Sequence, residues 1–136
     1  MLAGIIAHIG RMLTFRHDGS GLPEKGALNH WLLALAVIVS TLYQIAIGTP
    51  AEIAWCIPLL AYGAIGVIGE ILSPHLIAPL ALTGLAGSGL GILINAIPDE
   101  QARGLLSPVA VAWTMAAGMS IFKRVQIRQQ KTQQRR

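Results

Sequence analysis

Residues 76–97 read LIAPLALTGLAGSGLGILINAI, a run of 22 residues with no charged side chain. A helix rises 1.5 Å per residue, so this run reaches about 33 Å, enough to cross a hydrocarbon core of about 30 Å. Its small residues fall at helical spacing. Thr83, Gly87 and Gly91 recur by four, and Gly84 and Ser88 form a parallel stripe one position on. Lipid tails are as apolar as leucine, so helices in a bilayer associate by close packing and not by leaving their solvent. Small residues let two backbones approach. The stretch therefore predicts a membrane span with at least one face built to meet another helix.

Three further runs share this character: residues 29–48, 53–72 and 105–122, of 20, 20 and 18 residues. None alternates with a period of two, and lipid admits only helices or closed barrels, so all four runs predict helices. Hydrophobic residues make up 54% of the chain and charged residues 12%, against about 25% charge in a soluble domain. The connections at 49–52, 73–75 and 98–104 are short, which predicts sequential helices packed as antiparallel neighbours. Pro79 and Pro108 each fall in an expected first helical turn, where a missing N–H costs little. Pro58 falls deeper and removes the bond to the Ala54 carbonyl, predicting a bend. Asn29 is positioned to cap the first span.

Before the first span, Leu2, Ile5, Ile6, Ile9, Met12 and Leu13 line one face of a helix, with His8 and Arg11 on the other. The stretch has no positive charge ahead of its apolar core and no small-residue cleavage site, unlike a signal peptide. It is too short to span, and it predicts an interfacial helix along the membrane surface. The chain thus divides into an amphipathic helix (1–15), a polar loop broken by glycines and Pro23 (16–28), a four-helix antiparallel transmembrane bundle (29–122) and a basic tail (123–136). The fold class is all-α and polytopic.

Orientation follows the lysines and arginines. Four spans place both termini on one side, with Arg11, Arg16, Lys25, Lys123, Arg124, Arg128, Lys131, Arg135 and Arg136. The other side holds only Arg103, beside Asp99 and Glu100. The bias predicts cytoplasmic termini. Arg124, Arg128, Lys131 and Arg135 recur at i, i+4, i+7, i+11 and form one cationic stripe if the last helix continues. A basic segment attached to a membrane body favours anionic lipid headgroups over nucleic acid as its partner.

Candidate sites are few. Glu70, near the cytoplasmic end of its span, is a functional intramembrane carboxylate, an interfacial anchor or a structural partner for a His or Lys. His8, His30 and His75 map to the same edge. Histidines on separate helices can ligate a haem, but these lie at the membrane edge, so no cofactor or metal is expected. Gln44 and Asn95 are polar amides near the far side, expected to satisfy backbone or neighbouring-helix groups. Trp31, Trp55 and Tyr43 suit an aromatic belt, while Tyr62 and Trp113 lie deeper and suit packing between helices. Cys56, the one cysteine, sits in an apolar run and has no disulfide partner within the chain. Two more small-residue stripes accompany the first: Gly63, Gly66 and Gly69 by threes, and Ala110, Thr114 and Gly118 by fours. They serve internal packing or a docking surface for other membrane subunits. There is no phosphate-binding glycine loop, no carboxylate pair within a span and no nucleophile–base spacing.

The segment Leu13-Thr14-Phe15-Arg16-His17-Asp18-Gly19-Ser20-Gly21-Leu22-Pro23 followed by a span resembles the start of small proteobacterial inner-membrane proteins of the Yip1-like type. The glycine-rich stretch from Ala81 to Leu90, running on to Asn95-Ala96-Ile97-Pro98, is similar to their penultimate helix. The resemblance covers about half the chain, and the basic, glutamine-rich tail departs from it. It implies an inner-membrane location and no enzymatic activity. Together these readings predict a non-enzymatic membrane subunit or scaffold that binds other membrane proteins, or itself, through small-residue faces. The alternatives are a holin-like pore, with Glu70 facing the lumen, and an accessory subunit of a membrane oxidoreductase using His30 and His75.

Overall fold

Every long element in the chain is a helix because its backbone polar groups find partners within the segment, as an apolar surround requires. The computed structural model describes residues 2–17, 21–22 and 26–134. Pro23, Lys25, Arg135 and Arg136 lie outside the described residues, so their expected roles are not addressed by it. The elements are α1 (Leu2–Leu13), α2 (Ala27–Ala46), α3 (Ala51–Ala54), α4 (Cys56–Leu72), a 3-10 turn (Pro74–Leu76), α5 (Ile77–Asn95) and α6 (Glu100–Gln133). Four stretches are long and apolar enough to cross a membrane: α2, α3 with α4, the 3-10 turn with α5, and α6. The protein is an all-α, multi-pass membrane protein.

Local chemistry sets the boundaries, and several differ from expectation. Gly26, with φ 96°, stands at the start of α2, and Asn29 is not a cap. It lies inside the helix, fully buried, with Nδ2 donating to the Pro74 carbonyl at 3.3 Å. The second span is interrupted at Trp55, three residues before Pro58, so the expected bend appears as a break between α3 and α4. Asp99 caps α6: its Oδ1 accepts from the Gln101 and Ala102 amides at 2.9 and 3.3 Å. The helix therefore starts before residue 105, and Pro108 is an interior proline rather than a first-turn one. The same helix runs on through most of the basic tail, so the cations up to Lys131 ride on an ordered α-helix.

Two helices end in the same way. Gly48 adopts φ 94°, and the Thr49 and Gly48 amides bond back to the Gln44 and Ile45 carbonyls, a Schellman motif closing α2. At the end of α1, the Arg16 and Phe15 amides make the equivalent bonds to Arg11 and Met12, but the left-handed position holds Phe15 (φ 57°). A side chain there costs about 1–2 kcal/mol. The Phe15 ring offsets part of this by meeting Trp113 edge-on, with ring centroids 5.2 Å apart.

The packing order is α4, α2, α5, α6, with α2 and α5 at the centre and the most extensive interface between them. Asn29 faces Pro74, Ser40 faces Ser88 and Asn95 reaches the Ala46 carbonyl. Residue numbers rise together along both helices, so α2 and α5 run parallel. Up-down-up-down connectivity holds, but the central pair is not sequential, and the sequential pair α4 and α5 meets only lightly. The core is built from Leu32, Leu33 and Ala36 of α2, Ile77, Ala78, Ala81, Leu82, Leu85 and Ala86 of α5, and Ala117, Ile121 and Val125 of α6.

α1 adds Met12, only 1% exposed, to this core. It is amphipathic as expected, but its apolar face packs on protein, against α5 and α6. Ile5, Ile9 and Leu13 flank the core, while Ile6, expected on the same face, is 61% exposed. Trp113 Nε1 donates to the Leu13 carbonyl at 2.9 Å. Trp113 precedes the first tail cation, Lys123, by ten residues, roughly 15 Å along α6. The end of α1 is therefore set inward of the tail charges.

Candidate functional site

The small-residue faces separate into packed and open positions. A side-chain carbon added at Gly84 would collide with the Tyr62 ring and hydroxyl, one at Gly91 with the Tyr43 ring, one at Gly118 with Thr83 and one at Gly69 with Ile77. At Gly66 it would press on Leu33, and at Gly87 it would meet Thr114 Oγ1 at ordinary contact distance. Thr114 is buried, its hydroxyl bonded to the Ala110 and Val111 carbonyls of its own helix. Thr83 likewise bonds back to Pro79. Ser88 bonds Ser40 at 2.7 Å, and Ser40 bonds the Tyr62 hydroxyl at 3.2 Å, a polar junction linking α2, α4 and α5. These faces close the molecule on itself. Gly63 does not: nothing lies within 4 Å of its missing side chain.

Gly63 opens into a groove of about 580 Å³ between α2 and α4, whose walls include Leu33, Ala34, Val37, Leu59 and Val67. At one end stand His30 and Glu70, with Nε2 and Oε1 3.9 Å apart. Both side chains are well exposed, 65% and 43%, so a protonated His30 forms a weak, solvent-screened pair. The pair gives Glu70 a histidine neighbour. It also shows His30 engaged with Glu70 across the groove. Asn95 takes the expected role, donating to the Ala46 carbonyl of α2, whereas Gln44 Oε1 accepts from the Thr49 side chain in the turn after its own helix rather than from a backbone or neighbouring-helix group.

The histidine pair of this molecule is one that sequence reasoning missed. His8 Nδ1 and His17 Nε2 are 2.6 Å apart, with ring centroids at 4.9 Å. One proton must lie between these nitrogens, because two bare lone pairs would repel. His17 is buried at 2% exposure, and its carbonyl accepts from Arg124 Nη1 at 3.2 Å. Arg124 thus ties α6 to the segment after α1, so this member of the expected lipid-facing stripe also holds protein. Arg128 and Lys131 are exposed along α6; Arg135 lies outside the described residues. The available signal for the pair was the helix end at Leu13, which folds His17 back toward the preceding turns of α1.

His8 also lines a cleft of about 550 Å³ between α1 and α2. Its wall is almost wholly apolar and includes Gly4, Ile5, Leu28, Trp31, Leu35 and Ile38. Among the described residues, no group of three or more His, Cys, Asp or Glu side chains is gathered where it could hold a metal ion. No family model, curated protein or solved structure matches the chain.

Proposed function

We propose that the protein is a non-enzymatic integral membrane subunit that receives a helix of another membrane protein, or of a second copy, in the groove between α2 and α4. The supporting observation is Gly63. It is the one glycine of the expected small-residue faces at which an added Cβ would have no neighbour within 4 Å, and it lies on the least buried of the spans. The groove beside it offers the close backbone approach that drives helix association in lipid. In this reading the protein resides in a bacterial inner membrane with both termini cytoplasmic, consistent with the bias of its cations. Arg128 and Lys131, with Arg135 beyond them, attract anionic headgroups. The resemblance to small Yip1-like inner-membrane proteins agrees with a role without catalysis.

The test is Gly63→Leu, whose Cβ would have no atom within 4 Å and whose side chain would extend into the groove. The variant is expected to insert and accumulate like the parent but to lose its co-purifying subunit, or its self-association, in mild detergent. An unchanged set of associated proteins and an unchanged oligomeric state would overturn the reading.

A further inference from the structure

We propose that the cleft between α1 and α2 binds a membrane-dissolved, single-chain amphiphile whose neutral head carries a carbonyl acceptor. Three features of the wall support this, and none depends on the groove between α2 and α4. The first is its size. About 550 Å³ falls within the range of small-molecule sites, and an apolar hollow left empty forfeits the dispersion contacts of its lining. In a chain with four candidate spans, the available filling is an apolar chain.

The second feature is shape. Leu28, Trp31, Leu35 and Ile38 share one face of α2, and from the first to the last is about 15 Å of helix. The cleft is therefore a trough along α2, roofed by Ile5 and its neighbours on α1, and it suits an extended chain better than a compact ligand.

The third feature is the polar inventory. The described wall contains no Asp, Glu, Lys or Arg, and its polar side chains are His8 and Trp31. An indole N–H only donates. The His8 ring has one nitrogen, Nδ1, committed to His17 at 2.6 Å. When His17 Nε2 donates to that nitrogen, the neutral His8 ring carries its own proton on Nε2 and becomes a donor as well. Burial of His17 and the bond from Arg124 to its carbonyl hold this second ring in position. With that tautomer, two donors and no charged group among the described wall residues match an uncharged oxygen acceptor. A quinone with an aliphatic tail and a fatty-acid ester both present that chemistry.

The experiment titrates the full chain in nanodiscs of saturated lipid with two probes, decyl-benzoquinone and the methyl ester of a dibrominated fatty acid. Binding is read by quenching of tryptophan fluorescence, with Trp31→Phe assigning the signal to the cleft. Saturable quenching by at least one probe is expected, and the tighter probe identifies the source of the head. Gly4→Leu projects bulk into the cleft from a position where an added Cβ meets nothing within 4 Å, and should abolish saturation for both. His8→Phe keeps the ring volume and removes the donor. It should weaken a carbonyl-headed probe by about fivefold to tenfold while leaving unchanged the affinity of decylbenzene, which has no acceptor and whose binding is read by its displacement of the quenching probe. If neither probe saturates, or Gly4→Leu leaves binding intact, there is no site. If His8→Phe affects decylbenzene and the quinone equally, the carbonyl assignment is wrong.

Discussion

α4 and α5 are both apolar, uncharged through most of their length and rich in glycine, yet they have opposite places in the molecule. The span containing α5 has 39% of its apolar window buried, and the span containing α4 has 11%. On α5, Gly84 and Gly91 each accept a tyrosine ring from a neighbouring helix. On α4, Gly69 and Gly66 touch Ile77 and Leu33, and Gly63 touches nothing. Composition does not distinguish these helices. What does is what faces them: a glycine is filled where a side chain of a neighbouring element reaches it, and open where none does. A helix at the centre of a row uses its small residues on two sides, and a helix at the edge keeps one side for lipid or for a partner.

The strongest break of this contrast is Gly84→Leu. The added side chain would occupy the space of the Tyr62 ring and hydroxyl. The expected loss is about 3 kcal/mol, seen as a lower unfolding midpoint in detergent or as failure to accumulate. A stability equal to the parent would mean that α4 can swing away freely, and the central position of α5 would then not depend on this contact.

Ser40→Ala addresses the junction between the central pair and the edge helix. It removes the partner of both Ser88 and Tyr62, whose oxygens lie at 2.7 and 3.2 Å. A loss of about 1 kcal/mol is expected, measured by chemical denaturation in mixed micelles. Tyr62→Phe removes only the α4 side of that junction. Interhelical hydrogen bonds in membrane proteins average about 0.6 kcal/mol, so the shift should be smaller than for Ser40→Ala. The reverse order would place the main strength of the junction on the edge helix.

The smallest effect belongs to Gly63→Leu. On the isolated chain it should change stability by no more than about 0.5 kcal/mol, as at an open surface position. Thermal unfolding of the purified monomer reads this directly. A loss comparable to that of Gly84→Leu would show that Gly63 has a neighbour within the same chain, and the contrast between the two helices would collapse.

The four spans were legible because length and apolarity are local properties, and any helix-long run of this kind faces the same constraint in lipid. The break near Pro58 was legible for a similar reason, since a missing N–H acts on its own helix. The caps were less so. Asn29 has the right chemistry for an N-cap, but Gly26 takes that place and Asn29 is used inside the helix to reach Pro74. Pro108 was misplaced because the cap at Asp99 extends α6 through residues too polar to belong to the apolar run. His17 was passed over because its partner, nine residues earlier, becomes a neighbour only after Phe15 turns the chain.

By itself the sequence determined that this chain forms helices, how many can cross a membrane, and where its cations accumulate. Each of these follows from hydrogen-bond satisfaction and transfer energy, which act on a segment one at a time. Only the tertiary structure decided that α2 and α5 lie parallel at the centre, that α1 packs inward against α5 and α6, and that Gly63 is left open. Those outcomes depend on which surfaces meet, and in lipid, where nearly every surface is apolar, shape and a few polar contacts make that choice.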